Sequence, residues 1–192
     1  MSGHTEAVGP RGLVLADLLP GALVRDVLLV GGYAGLIGVS AQLRLFLPIT
    51  EVPITGQTFA VLLGAAVIGS WRGAAGSALY LGLGLAGVPW FAAGSPVSYG
   101  YIVGFIVAAG LVGWLAERGW DRRPTSLAAA MVVGNVVIYV FGVGYLAWAA
   151  SLPLWTAVFQ GAVLFFPGDA IKIALAMALV PTAWTLVRRV GE

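Results

Sequence analysis

Apolar residues run through this chain in long blocks, and polar residues are confined to the short intervals between them. A helix that crosses a bilayer needs roughly 20 predominantly apolar residues. Six blocks meet or approach that length: about 23–43, 55–70, 72–88, 99–117, 126–148 and 167–188. The second and third are short and only GSWRG, residues 69–73, separates them, which predicts a tight hairpin at the membrane surface. A further apolar run, 152–166, is about 15 residues long and carries Pro153 and Gln160. It reads as a re-entrant or interfacial segment in place of a seventh span. The expected fold is an all-α integral membrane protein with six transmembrane helices in a single domain over residues 1–192. Residues 1–21 form a mixed N-terminal segment, with no short apolar region and small-residue cleavage site of the signal-peptide kind.

Charge fixes the expected orientation. Cytoplasmic loops collect Arg and Lys. With six spans and both termini inside, the inner segments hold Arg11, Arg25, Arg72, Arg118, Arg122, Arg123, Arg188 and Arg189. The outer side holds Arg44, with Lys172 at a helix start. A seventh span would move Arg188 and Arg189 outside and weaken this asymmetry. The expected topology is therefore N-in and C-in, multi-pass, in the cytoplasmic (inner) membrane.

Composition sharpens the class. Of 192 residues 60% are hydrophobic and 9% charged, and the mean hydropathy is +0.98. Soluble domains carry about a quarter charged residues, so the lipid bilayer is this chain's solvent. The 28 glycines suit close helix packing. With no cysteine, disulfides, thiol catalysis and cysteine metal sites are excluded. No G-x-x-x-x-G-K-[ST] loop occurs, so ATP-driven work would need a partner chain. No basic nucleic-acid-binding segment, metal centre or cofactor site is expected. His4 is the single histidine, and Asp26 and Asp169 fall at opposite faces, which argues against an intramembrane enzyme.

On the expected outer face three unusual stretches gather: LPITEVPITGQTFAV (47–61), GVPWFAAGSPVSYGYIVGF (87–105) and FFPGDAIK (165–172). Each combines Pro or Gly turns, aromatics and a few hydrogen-bonding groups, the composition of a ligand pocket. Lys172 is the only lysine, and Asp169 precedes it by three residues on the same helical face. Pro167 suits a first helical turn, and an acid there is favoured by the helix dipole. A cation so close to a helix start is opposed by that dipole and by the bilayer, so an anionic or carbonyl partner is expected. A snorkelling structural ion pair is the alternative. Thr55 is placed to cap the second helix, with Gln57 in its first turn offering two donors and an acceptor. Trp90, Phe91, Tyr99 and Tyr101 fit either an interfacial aromatic belt or pocket walls. Asn135 fits either interhelical hydrogen bonding or ligand contact. Arg25 and Asp26 read as a structural pair. In the first helix, Gly31 with Gly35 and Ala34 with Gly38 allow close approach, by a neighbouring helix or by a separate membrane subunit.

These stretches, taken in order, resemble the BioY family, the biotin-specific substrate-binding (S) components of energy-coupling factor (ECF) transporters. The matching text is VPITGQTF, the glycine-spaced hairpin that follows, LYLGLG, GVPWF, YGYIVGF and FFPGDAIK, co-linear from about residue 45 to 175. One departure is GSPVSYGY, where many members have a GPTGGY-like loop. The resemblance implies a six-helix S-component fold, high-affinity biotin capture from outside, and a shared module of a coupling transmembrane protein and two ATPases. A solitary facilitator or proton-coupled carrier is the alternative. By motif position it implies Asp169 and Lys172 as the main polar ligand contacts, with Gln57, Tyr101 and Asn135 as weaker ones. Biotin's ureido ring offers two N–H donors and one acceptor, which an ionised Asp and a Lys can meet. Its thiophane ring and valeryl chain want apolar and aromatic walls, which Trp90 and Phe91 would extend.

Overall fold

The computed structural model describes residues 14–18, 22–90 and 96–190. Its helices are α1 (Ala22–Ser40), α2 (Gln57–Ile68), α3 (Ser70–Leu85), α4 (Tyr99–Glu117), α5 (Pro124–Ala149), α6 (Leu154–Gly161) and α7 (Phe166–Val190). Two short strands, β1 (Arg44–Leu45) and β2 (Ile54–Thr55), pair antiparallel between α1 and α2. Single 3-10 turns sit at Leu15–Leu18, Pro96–Ser98, Trp120–Arg122 and Val163–Phe165. Among the described residues, four helical stretches are long and apolar enough to cross a membrane unaided: Leu23–Ser40, Pro96–Glu117, Pro124–Ala149 and Leu154–Thr185. The six expected blocks correspond to α1–α5 and α7, and the 152–166 run folds as the eight-residue α6 and a 3-10 turn.

Two expected boundaries are corrected. The break between α2 and α3 is Gly69 alone, not GSWRG; Ser70 to Gly73 already belong to α3. Gly69 takes φ 91 and ψ 175, a region essentially reserved for glycine. The chain can therefore reverse with no loop. The carboxylate of Glu117, at the end of α4, takes over as cap: Oε1 accepts from Ser70 N and from Ser70 Oγ, both at 2.7 Å. An anion at a helix start also suits the dipole. The second correction concerns α2, which begins at Gln57 with Gly56 as its cap residue. Thr55 still serves the end of the helix, because its Oγ1 accepts the Gln57 N–H at 3.3 Å.

α4 is the centre of the bundle, packed against α2, α3 and α5. Small residues run along its inward face: Gly104, Ala108, Ala109, Val112, Gly113 and Ala116 are all buried. At Gly104 a side chain would stand 3.0 Å from the Ile138 Cα. Removing it is what lets α4 and α5 approach so closely. Other large aliphatic groups form the outer surface. Leu23, Val24, Val27 and Leu28 of α1, Val136 and Val140 of α5, and Leu175 and Leu179 of α7 are exposed, which is the surface lipid requires.

Polar side chains cluster at the two ends. At one end Asp26 binds Arg72 at 2.9 Å as well as Arg25 at 3.3 Å, joining α1 to α3. The structural pair read from the sequence is thus a triad. Also here is Asp121, fully buried, which accepts from the Arg122 Nε at 3.2 Å and from the Trp184 indole N–H of α7. Burial pushes the Asp121 carboxyl above the usual carboxylate range, while the Trp184 hydrogen bond and the Arg122 charge pull it back. The Arg122 guanidinium lies 3.5 Å over the Trp184 ring. The opposite end carries the β1–β2 hairpin, α6, and the starts of α2, α4 and α7.

Candidate functional site

At that opposite end a cavity opens between α2, α4, α5 and α7. Val52, Pro53 and Ile54 of the hairpin, Ile102 and Phe105 of α4, and Phe165 give it apolar walls. Thr50 ties the hairpin down, its hydroxyl donating to the Gln160 carbonyl of α6 at 3.0 Å.

The polar floor of the cavity is built from three helices. Pro167 and Asp169 fall in the first turn of α7, as the sequence implies, and Lys172 follows one turn on. Lys172 Nζ donates to Asp169 Oδ1 at 3.1 Å and to Thr58 Oγ1 of α2 at 2.7 Å. The Tyr139 hydroxyl of α5 donates to Asp169 Oδ2. Asp169 is only 5% exposed, so its charge is held by these partners and not by water. The opposition of Lys172 to the α7 dipole is offset by its two oxygen partners.

Of the seven residues singled out in the sequence, the structure brings four to the cavity: Asp169, Lys172, Gln57 and Tyr101. Gln57 is already engaged, its Nε2 donating to the Tyr80 hydroxyl at 2.9 Å and its Oε1 accepting from Thr55 at 3.1 Å. Tyr101 gives its proton to the Gly161 carbonyl at 2.8 Å, tying α4 to α6. Its ring serves as wall. Asn135 is buried on α5, one turn from Tyr139, with Oδ1 unpartnered among the described residues, and it does not line the cavity. Trp90 does not line it either. Trp90 packs on Tyr80, with ring centroids 5.3 Å apart, and its carbonyl accepts from Gln42. Phe91 lies outside the described residues. In the departing loop, Pro96, Ser98 and Tyr99 form part of the cavity wall.

Sequence reasoning missed Thr58 and Tyr139 as site residues. Thr58 carried a signal, since it follows Gln57 in the first turn of α2. Tyr139 carried none: it is one aromatic in the long apolar run of α5.

A sequence model of the BioY family matches residues 11–189. The chain belongs to the BioY family. BioY-family proteins of this kind include the biotin transporter BioY of Rhizobium etli, 36% identical over 174 residues, covering 81% of this chain and 90% of that protein. The biotin transporter BioY of Rhodobacter capsulatus is 34% identical over 172 residues, covering 79% and 88%. The crystal structure of an S-component for biotin from an ECF-type ABC transporter superposes with a TM-score of 0.75 at 20% identity, covering 84% of this chain and 92% of that one. The BioY-family chain therefore has the S-component fold. BioY-family members are transporter components and not enzymes.

Proposed function

We propose that this chain is a high-affinity biotin-binding membrane subunit of a vitamin uptake transporter. The observation that carries the proposal is the Asp169–Lys172–Thr58–Tyr139 cluster set into a largely apolar cavity. Among the described residues, Asp169 and Lys172 are the only charged groups on the cavity wall, and their charges cancel. A neutral ureido ring keeps that balance, whereas a carboxylate beside Asp169 would leave a buried excess charge. The ureido N–H therefore goes to Asp169 and the ureido carbonyl to Lys172, with the valerate toward the mouth. The apolar walls receive the thiophane ring and the valeryl chain.

The arginine asymmetry supports an N-in, C-in orientation in the cytoplasmic membrane, with the cavity on the extracytoplasmic side. Biotin is captured there and imported with an ATP-driven module: an ECF coupling transmembrane protein and two ATPase subunits. The names of the relatives and the S-component fold support this reading.

Calorimetry of biotin binding to the purified protein, beside Asp169→Asn and Lys172→Ala, tests it. Each variant removes a hydrogen bond to a charged group, so each should weaken binding by about ten- to a hundredfold or more while remaining folded. Wild-type affinity in both folded variants would move the site elsewhere. Absence of biotin binding by folded wild type would overturn the ligand assignment.

A further inference from the structure

The cavity wall holds a hydroxyl with no structural task. Thr55 spends its proton on the Gln57 Oε1, Gln57 donates to the Tyr80 hydroxyl, and Tyr101 donates to the Gly161 carbonyl. Ser98 lines the same cavity, and its oxygen is buried with no hydrogen-bond partner among the described residues. A serine just before a helix ordinarily caps it by accepting from a first-turn N–H. Ser98 does not. It takes φ -83 and ψ -10, continuing the 3-10 turn Pro96–Ser98 into α4, and its side chain makes no cap bond. Leaving a buried hydroxyl unpaired is costly. No bond holds it at its present rotamer, so rotation about χ1 leaves it available to a ligand. The first-turn N–H groups of α4 likewise lack partners inside the helix and form the positive end of its dipole.

Depth matches Ser98 to the far end of the ligand. α4 and α5 run antiparallel, with Gly104 against Ile138 and Gly100 against Phe141 and Tyr145. Gly104 is therefore level with Tyr139 at the polar floor. Ser98, six residues earlier, lies about 9 Å farther out along α4. An extended valeryl chain on a fused bicyclic ring spans a distance of that order. Charge points the same way. Asp169 and Lys172 neutralise each other, so the valerate is the one charge that biotin adds, and among the described residues the wall has no further cation to meet it. A hydroxyl donor at a helix N-terminus holds an anion without a counter-ion. We propose that Ser98 and the N-terminus of α4 form a carboxylate subsite, in which the Ser98 hydroxyl donates to the valerate, so that the protein selects the free acid. This rests on the biotin reading given above. The subsite falls in GSPVSYGY, the stretch where this chain departs from the family text.

The test compares biotin with the analogue in which a methyl group replaces the carboxylate. Binding is measured by calorimetry on the full chain in detergent for wild type and Ser98→Ala, with thermal unfolding as the fold control. Wild type should bind biotin about tenfold or more tightly than the methyl analogue, because only the carboxylate makes the charge-assisted hydrogen bonds. Ser98→Ala should weaken biotin about fivefold or more and leave the methyl analogue unchanged. Equal wild-type affinity for the two ligands, or tighter binding of the methyl analogue, would overturn the proposal whether or not the variant folds. So would wild-type biotin affinity in folded Ser98→Ala, or an equal loss for both ligands, which would mean that the hydroxyl acts only through the fold. In those cases biotin still binds and the functional reading stands. Failure of folded wild type to bind biotin would overturn both.

Discussion

At the scale of single residues, the site depends on keeping two buried charges partnered. Lys172 reaches the Thr58 hydroxyl at 2.7 Å, closer than its own ion-pair partner at 3.1 Å. Thr58→Val preserves shape and removes that acceptor. It should weaken biotin binding about fivefold or more in calorimetry, with little change in melting temperature. This pair was legible in the sequence because one lysine among arginines, three residues after an acid and just past a helix-starting proline, has no cheap explanation in a bilayer. Tyr139 was illegible for the opposite reason. Nothing in a run of Val, Ile and Phe distinguishes a tyrosine whose hydroxyl faces a carboxylate from one that faces headgroups. Only the placement of α7 against α5 decides it.

Elements show the same division between local and tertiary causes. Long apolar runs located α1, α4, α5 and α7 within a few residues. It overestimated the turn between α2 and α3, because Ser70, Trp71 and Arg72 look like a surface loop until Glu117 and Asp26 arrive from other helices to satisfy them. The β1–β2 pairing was missed as well, since two-residue strands give no alternation to read. The Gly69 reversal makes a sharp forecast. Gly69→Ala meets both an unfavourable backbone region and the Glu117 Oε1, 2.9 Å from the new Cβ. It should destabilise the protein by about 1–3 kcal/mol in thermal or denaturant unfolding. Glu117→Ala strands the Ser70 N–H and hydroxyl and should cost about 1–3 kcal/mol. Glu117→Gln, which still accepts through its amide oxygen, should lose less.

For the whole molecule, the natural absence of cysteine turns orientation into a direct measurement. Glu51→Cys in the hairpin loop and Thr125→Cys at the start of α5 replace exposed residues at opposite ends. A membrane-impermeant maleimide should label Glu51→Cys in intact cells and Thr125→Cys only after lysis. The reverse pattern would put the cavity inside. Among the described residues the arginine-bearing end is clasped by Asp26 with Arg72, Glu117 with Ser70, and Asp121 with Trp184, and the cavity end by Lys172 with Thr58, Tyr139 with Asp169, Gln57 with Tyr80, and the hydroxyl bonds of Thr50 and Tyr101. α2 connects the two ends with only 12 residues. That is about 18 Å of helix against a hydrocarbon core of about 30 Å. With Gly69 at one headgroup layer, Gln57 and Thr58 would fall short of the other, which predicts a cavity floor sunk into the depth of the bilayer. Lipid acyl-chain length then becomes a control on capture: thicker vesicles lift the headgroup layer over the mouth, and the rate at which biotin enters should fall as the chains lengthen.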